Sequence, residues 1–70
     1  MAVLGRYLVR FYAQKLERSR YAGIIILEWD EKGVKTQKLI HLDREFATEA
    51  EAIAHVDREA LARFKNGSLQ

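Results

Sequence analysis

Seventy residues with no Cys, two His and a net charge of +2 make one small domain, of a size that buries only about 60% of its unfolded surface. No disulfide can supplement so small a core, and two His without thiols argue against a closed structural zinc site, so oligomerisation is the supplement that remains. Met1-Ala2-Val3-Leu4-Gly5-Arg6 has no basic segment ahead of an apolar core, and no apolar run nears the ~20 residues of a membrane span. The expectation is a cytoplasmic chain with no signal peptide and no membrane partner, and the absence of Cys fits a reducing compartment.

Taken in order, Tyr7-Leu8-Val9-Arg10-Phe11-Tyr12-Ala13 alternates, with Tyr7, Val9, Phe11 and Ala13 on one side and Leu8, Arg10 and Tyr12 on the other. Aromatic and β-branched residues at period two predict a strand. Residues 14–20 (QKLERSR) are polar and charged without Pro or Gly, and read as a longer hairpin loop. Tyr21 to Trp29 is the second strand, Asp30-Glu31-Lys32-Gly33 a turn with Gly where positive φ is needed, and Val34 to Leu42 the third strand.

The last third predicts a helix with marked ends. Thr48-Glu49-Ala50-Glu51 matches a capping box, in which Thr48 and Glu51 satisfy each other's free backbone donors. Ile53, Val56, Ala60, Leu61 and Phe64 follow at helical spacing as an apolar stripe, Arg63 and Lys65 suit the negative end of the helix dipole, and Asn66-Gly67 stops the helix. The order is β-β-β-α. The fold class is therefore α+β, a three-stranded antiparallel meander followed by one C-terminal helix on one face.

The stretch Ile24-Ile25-Ile26-Leu27-Glu28-Trp29 carries apolar residues to both faces of that sheet. If residues 30–33 form the loop, Trp29 faces Val34 and Glu28 faces Lys35 as an opposite-charge pair. Trp29, Leu27, Ile25 and Tyr21 then share the greasier face with Tyr7, Val9 and Phe11, and the helix belongs there. The other face keeps Leu8, Tyr12, Ile24, Ile26 and Leu39, ringed by Arg10, Glu28, Lys35 and His41. One helix covers one face, so Leu8, Arg10, Tyr12, Ile24, Ile26, Leu39 and His41 form the candidate interface. The competing expectation is that Met1–Leu4 or the 14–20 loop folds over this patch.

Catalytic signatures are thin. His41-Leu42-Asp43 and the Glu51, His55, Glu59 ridge could each move protons or hold a metal, but no nucleophile accompanies the first and the second has the spacing of a solvated helix face. No phosphate-binding glycine loop, H-E-x-x-H or nucleophile elbow is present. The expectation is no enzyme, no catalytic residue, no metal and no cofactor.

Charge offers an alternative. Residues 1–20 hold Arg6, Arg10, Lys15, Arg18 and Arg20 against Glu17 alone, a local net of +4, whereas residues 43–70 carry a net of −2. The alternative reading is a small nucleic-acid-binding regulator whose contacts are Arg6, Arg10, Lys15, Arg18 and Arg20 around the hairpin loop. Against it, Glu45, Glu49 and Glu51 make the helix start acidic, which repels phosphate. The leading expectation is a small non-catalytic interaction module that self-associates as a homodimer through its open sheet face or sheet edge. Its partner is a second copy or another protein.

Overall fold

Two-residue turns set the register of the sheet. In the computed structural model, which describes residues 1–69, Lys32 and Gly33 both take positive φ, 51° and 80°. That is the twist a two-residue hairpin requires, and Gly33 adopts it without steric cost. The turn closes on Glu31 opposite Val34, joining β3 (Tyr21–Glu31) to β4 (Val34–Phe46). The four-residue loop expected over 30–33 is thus half as long. Trp29 faces Thr36 instead of Val34, and Glu28 faces Gln37 instead of Lys35. The slip is by two residues, so every side chain keeps its expected face.

A second turn of this kind, Gly5-Arg6 with Gly5 at φ 60°, joins β1 (Ala2–Leu4) to β2 (Tyr7–Lys15). The N-terminal residues therefore add a fourth strand beside β2 and do not fold over the open face. The sheet is an antiparallel meander in the order β1-β2-β3-β4. Residues 14–20 are also tighter than a long loop. β2 runs to Lys15, β3 begins at Tyr21, and a single 3₁₀ turn at Glu17–Ser19 closes the hairpin with Arg18 and Ser19 at φ 62° and 56°.

Opposite Gly23 the β3–β4 pairing jumps. Ile24 pairs with His41 but Ala22 pairs with Glu45, so Gly23 alone faces Leu42, Asp43 and Arg44. This irregularity bends β4 and lengthens it beyond the expected Leu42. Gly23 also marks the closest approach of α1 (Glu49–Lys65). A Cβ built on it would lie 2.3 Å from Val56 Cγ2 and 3.3 Å from the Ala52 carbonyl oxygen.

Close approach explains which helix side faces the sheet. Ala52, Val56 and Ala60, at i, i+4 and i+8, are buried. The expected stripe is shifted, since Leu61 and Phe64 keep 41% and 38% of their surface exposed and Ile53 is half-buried. Small side chains let the helix settle, and bulky ones move to its flanks, Phe64 against Gly5 at 3.0 Å from a Cβ there. The core is Val9, Ile25, Leu27, Trp29, Leu42, Val56 and Ala60, where each large apolar side chain contributes about 1.5–3 kcal/mol.

The helix ends are chemically explicit. The Glu51 N–H donates to Thr48 Oγ1 at 3.2 Å, as a capping box requires. The return contact differs: the Thr48 hydroxyl donates to Glu51 Oε1 at 2.9 Å. At the other end the Ser68 N–H donates to the Arg63 carbonyl at 2.8 Å and the Gly67 N–H to the Phe64 carbonyl at 3.1 Å, the paired bonds of a Schellman turn. That turn sends Leu69 back into the core at 3% exposure. No described helix is long and apolar enough to cross a membrane.

Candidate interaction surface

Alternation places the candidate residues on one face. Odd-numbered residues of β2 and β3 point to the helix. Leu8 pairs with Glu28, Arg10 with Ile26 and Tyr12 with Ile24 on the opposite side, while Leu39 and His41 of β4 lie across from Ile26 and Ile24. The seven expected residues therefore share the face that α1 does not cover. Val3 of β1, opposite Leu8, joins them at 72% exposure. Sequence reasoning missed it because Ala2–Leu4 alone is too short to announce a strand; the Gly5-Arg6 turn was the available signal.

The patch is uneven. Tyr12 and Leu39 expose 53% and 48% of their surface, and Leu8 and Ile26 are half-buried. Ile24 retains only 5%, flanked by Tyr12 and His41. Ile24 is thus a floor of the patch, and its contribution to any contact is small. The accessible apolar centre is Val3, Leu8, Tyr12, Ile26 and Leu39.

Charge crosses this face in one close pair. Arg10 Nε lies 2.8 Å from Glu28 Oε1, with the Glu28 side chain 18% exposed. No N–H is directed at Oε1, so that buried oxygen has charge compensation but no hydrogen bond.

The basic residues do not gather. Arg6 sits at the Gly5 turn, stacked over Tyr7 at 5.4 Å and 3.4 Å from Glu31 Oε2, which also accepts from Trp29 Nε1 at 3.3 Å. Its contacts with Tyr7 first and Glu31 second raise its pKa further above the ordinary arginine value. Arg18, in the left-handed 3₁₀ turn, and Lys15 lie at the far end of β2, and Arg20 is 3.8 Å from Glu45. Arg10, held by Glu28, lies within β2, the other four divide between opposite ends of that nine-residue strand, roughly 30 Å apart, and three of the five face a carboxylate.

The two His-containing patterns separate as well. His55 packs on Phe46 with ring centres 5.2 Å apart, and Glu59 pairs with Arg63 at 3.5 Å. His41 lies exposed on the open face. Among the described residues no three His, Cys, Asp or Glu side chains gather as a metal site would require. No family model matches the chain, and neither the curated proteins nor the solved structures give a match.

Proposed function

We propose that the chain is a non-catalytic, cytoplasmic interaction module that self-associates through the open face of its sheet. One observation carries this reading: Val3, Tyr12 and Leu39 remain 72%, 53% and 48% exposed on the face opposite the helix, around Leu8 and Ile26. An apolar centre with a charged rim is the composition of an interface. Strands of 3, 9, 11 and 13 residues, at ~3.3 Å rise and ~4.8 Å spacing, span on the order of 600 Å², somewhat below the ~800 Å² each partner gives a standard interface. A second copy fits that area, and both charges of Arg10 and Glu28 are present on each protomer, so the face can complement itself about a two-fold axis.

The test compares adjacent residues. Ile26→Lys puts a charge at the centre of the proposed contact, where burial without a partner is strongly unfavourable, yet leaves it in water on a single protomer. That variant folds and loses face-to-face association. Ile25→Lys buries the charge beneath α1, where Ile25 is 0% exposed, and unfolds the chain. Association of Ile26→Lys at wild-type strength, or better tolerance of Lys at Ile25 than at Ile26, contradicts the reading.

A further inference from the structure

The free edge of β4 has an alternation that follows from the turns. A two-residue hairpin closes on a hydrogen-bonded pair, here Glu31 and Val34, and hydrogen-bonded pairs recur at every second position. Val34, Thr36, Lys38 and Ile40 therefore bond inward to β3. Lys35, Gln37, Leu39 and His41 turn their N–H and C=O groups outward. The opposite end of the sheet fixes the same parity: the Leu16 N–H donates to the Arg20 carbonyl at 2.7 Å, as it must if even-numbered residues of β3 bond to β2.

We propose that this edge pairs antiparallel with the β4 edge of a second copy, about a two-fold axis through Leu39. Leu39 then faces its own counterpart and Gln37 faces His41. The regular ladder ends where β4 bulges opposite Gly23. A two-fold at Lys38 would give a longer ladder but sets Lys38 against itself, which is unfavourable. Charge selects the same arrangement. Lys35 and Lys38 occupy the first half of the outer strand, and Asp43 and Glu45, with Arg44 between them, the second half. Antiparallel pairing about Leu39 brings each Lys35 beside the other copy's Asp43, in the irregular segment just past the ladder; parallel pairing would align like charges. Lysines on an edge also guard against uncontrolled pairing. Here they lie to one side of an exposed Leu39 at 48% and a half-buried Ile40, and so leave one register open.

The consequence is a continuous sheet of two copies with both helices on one side and both open faces on the other. The inference rests on the self-association reading for its occupant, and joins with it: two such sheets stacked by their open faces make a tetramer with two-fold symmetry throughout.

Light scattering on the full chain at ~100 μM tests the edge separately from the face. Gln37→Pro removes an outward N–H and leaves every bond to β3, which is where an edge strand accepts proline. The wild type should have the mass of four chains, Gln37→Pro and Ile26→Lys each the mass of two, and the double variant one. Lys35→Asp or Asp43→Lys alone should weaken edge pairing roughly tenfold, and the two together should restore it, which keeps the test open if the proline variant folds poorly. Wild-type mass for both Gln37→Pro and the single charge variants overturns edge pairing whatever Ile26→Lys does, and a monomeric wild type overturns it together with the face. Loss of association in Gln37→Pro with none in Ile26→Lys retains the edge and removes the face.

Discussion

Replacing Gly23 by Ala places a methyl group where the helix already lies. The added Cβ would stand 2.3 Å from Val56 Cγ2 and 3.3 Å from the Ala52 carbonyl oxygen, against ~3.5–4.0 Å for an ordinary carbon contact. One of the two elements must move by more than about 1 Å, and the Ala52 carbonyl is backbone that cannot rotate away. Overpacking of this kind costs ~1–3 kcal/mol, and we expect the upper end. The loss of glycine's unfolded-state freedom returns ~0.4–1 kcal/mol, leaving a net of about 2–2.5 kcal/mol. For a domain of this length that lowers Tm by roughly 8–20 °C, measurable by circular dichroism. Val56→Ala alone should cost about 2 kcal/mol through lost burial. The double variant removes the clashing methyl, so its cost should fall short of the sum by at least ~1 kcal/mol. A neutral or stabilising Gly23→Ala, or strict additivity with Val56→Ala, would refute the close helix–sheet approach.

Other substitutions test the helix ends. Thr48→Ala should cost ~1 kcal/mol by removing the acceptor for the Glu51 N–H, and Glu51→Ala less, without additivity because the two side chains share one motif; additive losses in urea titrations would dismiss the cap. Leu69→Ala should cost ~2–3 kcal/mol because the side chain is 3% exposed, and should exceed the cost of Phe64→Ala, whose ring is 38% exposed. The reverse order in thermal melts would mean that the tail does not complete the core.

How far the sequence disclosed this fold depends on the kind of signal. Period-two alternation in residues 7–13 and 21–29 carries each side chain's face, and a two-residue error in register leaves that information intact, which is why all seven expected residues share the uncovered face. Turn length is carried less well. Asp30-Glu31-Lys32-Gly33 contains a turn signal, but it does not announce that Lys32 takes positive φ and lets the strands continue to Glu31 and Val34. The helix stripe is shifted because apolar size alone does not decide burial: Ala52 and Ala60 are buried while Leu61 and Phe64 stay exposed. A glycine in the facing strand favours alanines at the contact, and neither helix nor strand reveals that pairing alone. Leu69 and β1 were missed for a shared reason: segments of two or three residues have no period, and only Gly67 and Gly5 mark the reversals that bring them to the core and sheet.

The mass of the unaltered chain in solution, followed across concentration and salt with and without added RNA or DNA, bears most directly on the uncovered sheet face. Association through Val3, Leu8, Tyr12, Ile26 and Leu39 is apolar, so more than one chain per particle should persist at roughly 1 M salt, where charges are screened beyond ~3 Å, and nucleic acid should leave the mass unchanged. A single-chain mass at ~100 μM, or a mass that rises only with nucleic acid and falls with salt, would contradict it.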